Sequence, residues 1–576
     1  MPIHNEDIAR AFDEIADLLE IEEANPFRVR AYRNAARSLR ALEQEVVNLV
    51  VEEADLTKLP GIGKDLAAKI VEMVETGKIA ALERLHTEVP ASVEELLHVP
   101  GLGPKRVKTL YQTLGIENRA QLAEAIRAGK VRSLPGFGTG IERKVLKALA
   151  AEQVTERRFL RAMVVPYAES LSDYLRKQRN VLEVVVAGSY RRGKETVGDL
   201  DILVTAKGKS AGVMDAFVAY DEVVQVVSQG STRATVILRS GLQVDLRVVA
   251  QQSYGAALHY FTGSKAHNIQ VRRLGQKRGL KINEYGVFKG DKRIAGRTEA
   301  SVFKSVGLPY IEPELREGQG EIEAARAGRL PMLVSRDDLK GDLHSHTVAT
   351  DGQATLREMA DAARRRGYRY LAITEHSKRL TVVRGLDERR LLEQMEEIDR
   401  LNEELKGITL LKGIEVDILE DGRLDLADDL LCRLDLVVAA VHTKFNLSRK
   451  KQTERILRAM DRPCFTLLAH PSGRLLQERE SYEVDMARII RHARKRGCFL
   501  ELNSQPRRLD LTEHHCRLAK EEGVRVSINS DAHRTQDLDL LAYGVLQARR
   551  GWLGASDVLN TLSLSALRKA LRQTMR

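Results

Sequence analysis

The sequence predicts a multidomain protein with an all-α N-terminal region, a central α/β region and a C-terminal domain of repeated β/α units. A Pro-Gly-x-Gly turn occurs three times between helical runs before residue 140. β-Rich segments begin near residue 180, and from residue 338 onward apolar strands alternate with amphipathic helical stretches. With 576 residues, the chain is long enough for several domains.

Composition indicates a folded protein with a polyanionic partner. Hydrophobic residues make up 43% and charged residues 30%, an ordinary balance that allows a core. The net charge of +11 favours nucleic acid as the partner, although a merely basic enzyme would carry the same charge. The four cysteines form no CxxC pair, which predicts reduced thiols and a cytoplasmic location. Neither a secretory signal nor a long apolar run is found, so no membrane partner is expected.

The repeated glycine turns predict contact with a phosphate backbone. Such a turn exposes backbone N–H groups at the start of the next helix, where the helix dipole also favours an anion. One turn could simply join two packed helices, but three turns in a basic chain favour binding of the DNA backbone. No copy completes the GxGxxG of a dinucleotide site. The motif resembles the helix-hairpin-helix, and its glycines are Gly61, Gly63, Gly101, Gly103, Gly136 and Gly138.

Residues 1–85 also resemble the deoxyribose-phosphate lyase domain of the DNA polymerase beta family, over the stretch around Tyr32 and from Leu59 to Lys78. The resemblance places Lys69 where that family has its Schiff-base lysine. The alternative is a solvated lysine on a helix. Arg28 and Asp65 stand where the family has lysines, and a carboxylate beside Lys69 would weaken it as a nucleophile.

In the central region, three carboxylates predict a divalent-metal centre. Asp199 and Asp201 point to the same face of a strand because side chains alternate. Asp245 lies among apolar residues in a later strand and needs a partner there. Three clustered carboxylates could hold two Mg²⁺ or Mn²⁺ ions for phosphoryl transfer. The alternative is an exposed acidic turn.

A glycine-rich turn precedes these carboxylates and predicts a phosphate cradle. It contains Gly188, Ser189 and Arg192, and Gly198 comes directly before Asp199. Backbone N–H groups, the hydroxyl and the guanidinium suit a triphosphate. The order Gly-Ser, DxD, Asp resembles the nucleotidyltransferase superfamily.

The segment that follows resembles the thumb of DNA polymerase beta, in Tyr260–Ser264, Asn268 and Ile282–Gly286. The resemblance implies that Tyr260 and Phe261 stack on the nucleotide beside Gly263, that Asn268 reaches the base and that Arg272 contacts the template. Ordinary core packing is the alternative for the aromatic pair. Lys265 and Gln243 depart from the family, which has aspartate and arginine there.

Nine polar residues of the C-terminal region predict a second metal centre. Most follow an apolar strand, and the C-terminal ends of parallel strands meet on one face. A single strand-end histidine is more often structural, but repetition at successive strands favours metal binding. The nine residues are His344, His346, Asp351, His376, Glu415, His442, His470, Asp531 and His533.

The nine positions resemble the PHP (polymerase and histidinol phosphatase) domain, a distorted (β/α)7 barrel that holds up to three metals. Imidazole with carboxylate favours Zn²⁺, Mn²⁺ or Fe²⁺. The resemblance implies 3′→5′ exonuclease activity, with 3′-phosphatase or abasic-site endonuclease activity as further expectations.

Together the patterns resemble a bacterial family X DNA polymerase with a C-terminal PHP domain. This implies gap filling in base excision repair, on gapped or nicked DNA with dNTPs, by a nucleoid-associated monomer. A small-molecule phosphatase with DNA-binding modules and a non-catalytic DNA-binding scaffold remain alternatives. The predicted division is lyase-like 1–85, fingers-like 86–150, nucleotidyltransferase palm 151–250, thumb 251–318, linker 319–338 and PHP barrel 339–576. The sequence leaves open the barrel metal, lyase activity, preferred lesion, ribonucleotide tolerance, oligomeric state and transfer of DNA between centres.

Overall fold

A computed structural model gives two compact units, Met1–Arg157 and Arg158–Arg576, and each is described by itself. The structure describes residues 5–21, 25–40, 42, 46–51, 54–88, 93, 96, 99, 102–132, 134, 137–138, 140–142, 145–146, 158–208 and 210–575.

The first unit is all-α over its described residues, as predicted. Its helices are Asn5–Ile21, Pro26–Arg40, Val46–Val51, Lys64–Thr76, Ala80–Glu88, Pro104–Leu114 and Arg119–Arg127. The first two helices pack Phe12 edge-on against Tyr32, with ring centroids 5.5 Å apart. Burial of such rings supplies the apolar driving force for a core.

Two of the predicted glycine turns begin helices in this unit. Gly63 and Gly103 are the residues directly before Lys64–Thr76 and Pro104–Leu114, and both are extended. Gly61 has a φ of +78°, which favours glycine. Gly101 and Gly136 lie outside the described residues, whereas Gly138 accepts from the backbone N–H of Ile141 at 2.9 Å.

The second unit begins with the predicted palm. Its strands are β1 (Phe159–Leu160), β2 (Val181–Val186), β3 (Thr196–Val197), β4 (Asp199–Ala206), β5 (Val223–Gln229), β6 (Arg233–Leu238) and β7 (Gln243–Val249). Its helices are Arg161–Arg176, Gly188–Arg191 and Ala211–Val218. The five-stranded sheet has the order β2-β4-β7-β6-β5, and β4 and β7 run parallel. A hairpin that turns at Ser240-Gly241 joins β6 to β7.

The thumb region contains helices Tyr254–Thr262, Lys265–Gln276 and Glu299–Ser305, and a sheet of β8 (Lys281–Asn283), β9 (Gly286–Lys289) and β10 (Lys292–Ala295). The segment predicted as a linker over 319–338 is ordered and packed. It includes helix Glu321–Arg326, whose buried Ile322 lies in one apolar cluster with Trp552 of the barrel.

The C-terminal region forms seven parallel strands in chain order, as predicted. They are β11 (Gly341–Asp342), β12 (Tyr370–Ile373), β13 (Thr409–Asp417), β14 (Leu436–Ala440), β15 (Leu467–Leu468), β16 (Phe499–Asn503) and β17 (Val526–Asn529). The helices are Leu356–Arg365, Glu388–Glu404, Asp428–Leu431, Arg449–Met460, Met486–Arg496, Glu513–Glu521, Leu541–Arg550 and Leu564–Thr574.

The side chain of Asn560 bridges the first and last strands of this barrel. Its amide donates to the backbone oxygen atoms of Gly341 (2.9 Å) and Ile528 (2.6 Å). The hydroxyl and N–H of Ser530 also donate to Asp342. These contacts bring the two edges of the sheet together, which places every strand end around one face.

The prediction that all four cysteines are reduced was wrong. Cys432 and Cys464 form a disulfide with Cα atoms 5.3 Å apart, whereas Cys498 and Cys516 are free and buried. Cys432 follows helix Asp428–Leu431, and Cys464 lies shortly before β15. Consecutive β/α units therefore bring together residues that are 32 positions apart, which the search for CxxC spacing could not detect. Among the described helices, none is long and apolar enough to cross a membrane.

Candidate active sites in the palm and the barrel

The palm brings the three predicted carboxylates onto adjacent strands. In the parallel pairing of β4 with β7, Asp201 lies opposite Asp245, and Asp199 lies opposite Gln243. Burial, followed by the charges of Asp199 and Asp245, raises the pKa of Asp201 to about 7. Burial and the charge of Asp245 also raise the pKa of Asp199. Such a set resists full ionisation unless cations are added.

Asp245 has polar partners, as its position among apolar residues requires. It accepts from the Thr235 hydroxyl at 2.6 Å and from the Gln243 amide at 2.8 Å, and Arg233 Nη2 lies 3.4 Å away. These contacts fix its carboxylate on the buried side of the sheet. Gln243, identified in the sequence only as a departure from the family, therefore orients a candidate ligand.

The predicted phosphate cradle lies directly against these carboxylates. The backbone N–H of Ala187 donates to the Asp201 backbone oxygen at 2.7 Å. Gly188 has a φ of +60°, and a Cβ there would lie 2.4 Å from Asp201 Oδ2. Ser189 continues the short helix Gly188–Arg191, and Gly198 lies between β3 and β4. Only glycine at position 188 allows the turn to approach the carboxylate this closely.

Arg192 connects this turn to the thumb. Its Nη1 donates to the Thr262 backbone oxygen at 2.6 Å, and its Nε donates to Glu317 at 3.0 Å. Gly263, with a φ of +68°, would place a Cβ 3.3 Å from Arg192 Nη1. The guanidinium thus lies between the phosphate turn and the end of helix Tyr254–Thr262.

The predicted nucleotide-contact residues lie at the same junction. Tyr260 and Phe261 pack edge to face at 5.0 Å, and Phe261 lines a small cleft together with Asp201 and Asp245. Asn268 donates to the Tyr260 backbone oxygen at 2.7 Å, and the Arg272 guanidinium lies 5.0 Å from the Tyr260 ring centroid. Phe261 therefore borders the carboxylates, and Tyr260 packs against Phe261.

In the barrel, the predicted ligands gather at the ends of the strands. Glu415 is central: its Oε1 lies 3.2 Å from His442 Nε2 and 3.0 Å from His470 Nε2, and its Oε2 lies 2.7 Å from His376 Nδ1 and 3.5 Å from His344 Nε2. It lies within β13, which continues to Asp417, rather than at the end of a strand as the sequence had suggested.

Three groupings have ligand atoms within 4.8 Å of one another, and they include eight of the nine predicted residues. The groupings are His346 with Asp351, His376 and His533; His344 with His346 and Asp531; and His376 with Glu415 and His442. The ninth residue, His470, joins through Glu415. The palm carboxylates are not among such groupings of the described residues.

The donor atoms of the barrel fit bound cations. His344 Nε2, His346 Nε2 and His376 Nδ1 are buried and make no hydrogen bond with the described residues, although carboxylate oxygens lie nearby. A buried polar atom without a partner costs folding free energy. A nitrogen lone pair that faces a carboxylate oxygen has no partner there, because both atoms are acceptors. Cations shared between them satisfy both groups, and imidazole suits Zn²⁺, Mn²⁺ or Fe²⁺.

Two residues that orient these imidazoles were missed in the sequence. Glu501 Oε1 lies 2.7 Å from His344 Nδ1, and Asp417 Oδ1 lies 3.3 Å from His442 Nδ1. Carboxylates behind metal-binding histidines set the tautomer and the ring direction. A charged residue inside an apolar strand, as in Phe499-Leu500-Glu501-Leu502, was the signal that could have identified the first.

Models of known families match most of the chain. They are a helix-hairpin-helix domain (residues 3–79), a SAM-like helix-hairpin-helix tandem (93–151), the DNA polymerase beta palm (158–273), the DNA polymerase beta thumb (257–317) and the PHP domain (342–505).

Curated relatives match the whole chain or its parts. The DNA polymerase/3′-5′ exonuclease PolX of Bacillus subtilis is 39% identical over 99% of this chain and 100% of its own length. DNA polymerase lambda of Rattus norvegicus is 26% identical over 51% of this chain and 53% of its own length. A probable phosphatase of Caldanaerobacter subterraneus is 32% identical over 33% of this chain and 75% of its own length.

Proposed function

The chain belongs to the bacterial family X DNA polymerases with a PHP domain, and we propose that it fills short DNA gaps at the palm carboxylates and trims 3′ ends at the barrel cluster. The observation that carries the polymerase assignment is the pairing of Asp201 with Asp245 across β4 and β7, with Asp199 two residues earlier. Templated extension by dNTPs is the activity for which such a carboxylate set is suited.

In the palm, two Mg²⁺ or Mn²⁺ ions would, when bound, supply the charge that holds the attacking and leaving oxygens. Asp245, fixed by Thr235 and Gln243, accepts the proton of the primer 3′-hydroxyl. The Gly188–Arg191 turn and the Arg192 guanidinium bind the triphosphate.

The other nucleotide contacts follow from the same junction. Phe261, which borders the carboxylates, and Tyr260, which packs against it, limit the space at the sugar 2′ position. Asn268 reaches the base and Arg272 the template, which requires each to leave its present contact with Tyr260.

In the barrel, up to three bound Zn²⁺, Mn²⁺ or Fe²⁺ ions would lower the pKa of water and so provide hydroxide. Glu501 and Asp417 keep the histidine rings aimed at the centre. The substrate we propose is the 3′-terminal phosphodiester of DNA. Removal of a 3′-phosphate and incision at abasic sites are further proposed activities of this centre, because both break a phosphoester of the same chemical class.

We place the protein in base excision repair, acting as a monomer on gapped or nicked DNA at the bacterial nucleoid. The helix-hairpin-helix turns at Gly61, Gly63 and Gly103 support backbone binding, since each precedes or begins a helix. Lyase activity at Lys69 is proposed to be weak. Its ammonium lies 2.5 Å from Asp65, and its side chain is only 14% exposed, so the paired cation is a poor nucleophile.

The test is extension and trimming of a labelled primer on DNA with a one-nucleotide gap. Asp199→Ala should stop extension and leave trimming intact, and His344→Ala should do the reverse. Matched controls are Asp173→Ala, at an exposed residue paired with Arg176, and His492→Ala, at a barrel residue paired with Asp461. If Asp199→Ala still extends primers, the palm assignment is wrong.

A specific observation supports a second candidate for the barrel alone, since its sequence matches a probable phosphatase. Small phosphomonoesters added to the same variants distinguish the two candidates. If the wild type releases phosphate from them and never shortens a DNA 3′ end, the phosphatase alternative is correct.

A further inference from the structure

The phosphate turn of the palm is joined to the barrel through one carboxylate. Glu317 Oε1 accepts from Arg192 Nε at 3.0 Å and from Arg550 Nη1 at 2.9 Å, and Lys194 Nζ lies 3.5 Å from it. Arg192 and Lys194 belong to the palm, whereas Arg550 ends the barrel helix Leu541–Arg550. A thumb-end carboxylate is therefore shared by a palm arginine and a barrel arginine.

The Arg550 side chain is buried and held by several hydrogen bonds. Its side chain is 2% exposed, its Nη2 donates to Glu513 at 2.8 Å, and its Nη1 also donates to the Arg192 backbone oxygen at 2.9 Å. Gly193, which has a φ of +71°, would place a Cβ 3.7 Å from Arg550 Cδ. The turn that follows Arg192 thus lies directly on the barrel helix.

Glu317 is an anion at neutral pH. Burial would raise its pKa, but the charges of Arg192, Arg550 and Lys194 outweigh burial and hold the pKa below its ordinary value. Its side chain is 13% exposed, as is that of Arg192, so solvent screens their attraction only partly. An ionised carboxylate on Arg192 opposes a triphosphate that needs the same guanidinium, because both anions compete for it and repel each other.

From this geometry we propose that Glu317 and Arg550 are positioning residues for nucleotide binding, through which the barrel sets the dNTP affinity of the polymerase. Glu317 competes with the triphosphate for Arg192. Arg550 weakens that competition by holding the same carboxylate oxygen, and it also supports the turn through the Arg192 backbone. The inference rests on the triphosphate-binding role of Arg192 proposed above.

The two residues should act in opposite directions on the KM for dNTP. With the full chain on gapped DNA, Glu317→Gln should lower the KM by about fivefold, since a competing charge is lost. Arg550→Met should raise it by about fivefold, since Glu317 then pairs with Arg192 and Lys194 alone. Combined with Glu317→Gln, Arg550→Met should lose most of its effect, and kcat should change less than KM throughout.

One variant serves as a control for the junction, and another tests whether Arg192 binds the triphosphate. Arg549→Met, on the same helix but paired with Glu314 at 2.7 Å, should leave the KM unchanged. A merely structural junction would instead raise the KM or lower kcat in both Glu317→Gln and Arg550→Met, and that result overturns the inference. Glu317→Gln alone decides the question if Arg550→Met fails to fold. If Arg192→Gln leaves the dNTP KM unchanged, the proposed role of Arg192 itself fails, and the inference fails with it.

Discussion

Gly188 lies so close to Asp201 that adding one methyl group, in Gly188→Ala, should disrupt the proposed polymerase centre. In Gly188→Ala the new Cβ would lie 2.4 Å from Asp201 Oδ2. Ordinary contact requires about 3.4 Å, so the carboxylate must retreat by about 1 Å. Misplacement of a catalytic group by that distance costs about 100-fold in rate. The positive φ of +60° adds strain of about 1–2 kcal/mol.

The assay is single-nucleotide gap filling at saturating dNTP, with 3′ trimming and the thermal midpoint measured on the same samples. Gly208→Ala is the matched control, because Gly208 has a φ of +80° but nothing within 4 Å of its Cβ position. Both variants should lose similar stability, but only Gly188→Ala should lose extension, and trimming should persist in both. Extension by Gly188→Ala within about threefold of the control would refute the reasoning.

Two further predictions concern stability. Burial would raise the pKa of Glu299, but hydrogen bonds and charges from Arg191 and Arg316 lower it to about 2. Its contribution, on the order of 3 kcal/mol, is therefore present above the unfolded pKa of about 4.5 and lost as pH falls toward 2. Glu299→Gln should destabilise in urea at neutral pH and progressively less toward about pH 3; a pH-independent difference would contradict this. Asn560→Ala, which leaves buried backbone groups at the barrel seam unpaired, should lower the unfolding free energy by about 3 kcal/mol in urea. A loss below about 1 kcal/mol would show that the seam closes without it.

The sequence predicted the features that depend on periodicity and on the ends of strands. Parallel β/α units necessarily bring strand ends to one face, so residues as distant as His344 and Asp531 could be expected to meet. The structure places their side chains 3.6 Å apart. Alternation along one strand likewise put Asp199 and Asp201 on one face, and the pairing of β4 with β7 added Asp245.

Features that depend on packing between elements could not be predicted. Glu317 lies at the end of the predicted thumb and carried no sequence signal of a contact, yet it joins palm and barrel because helix Leu541–Arg550 packs there. Cys432 and Cys464 meet only because β14 and β15 are neighbours. Position along the chain carries no signal for such contacts when the partner lies on a different structural element.

The two centres offer different donor atoms, which predicts that each prefers a different kind of metal ion. The palm offers three carboxylates and no imidazole, and oxygen donors suit hard cations such as Mg²⁺. The barrel surrounds Glu415 with histidines, four of them within 3.5 Å, and nitrogen donors favour transition metals in the order of their general affinity. We therefore expect the barrel to retain a transition metal before the palm does. Selection by ligand type would then let the two proposed centres work in one chain without exchanging their ions.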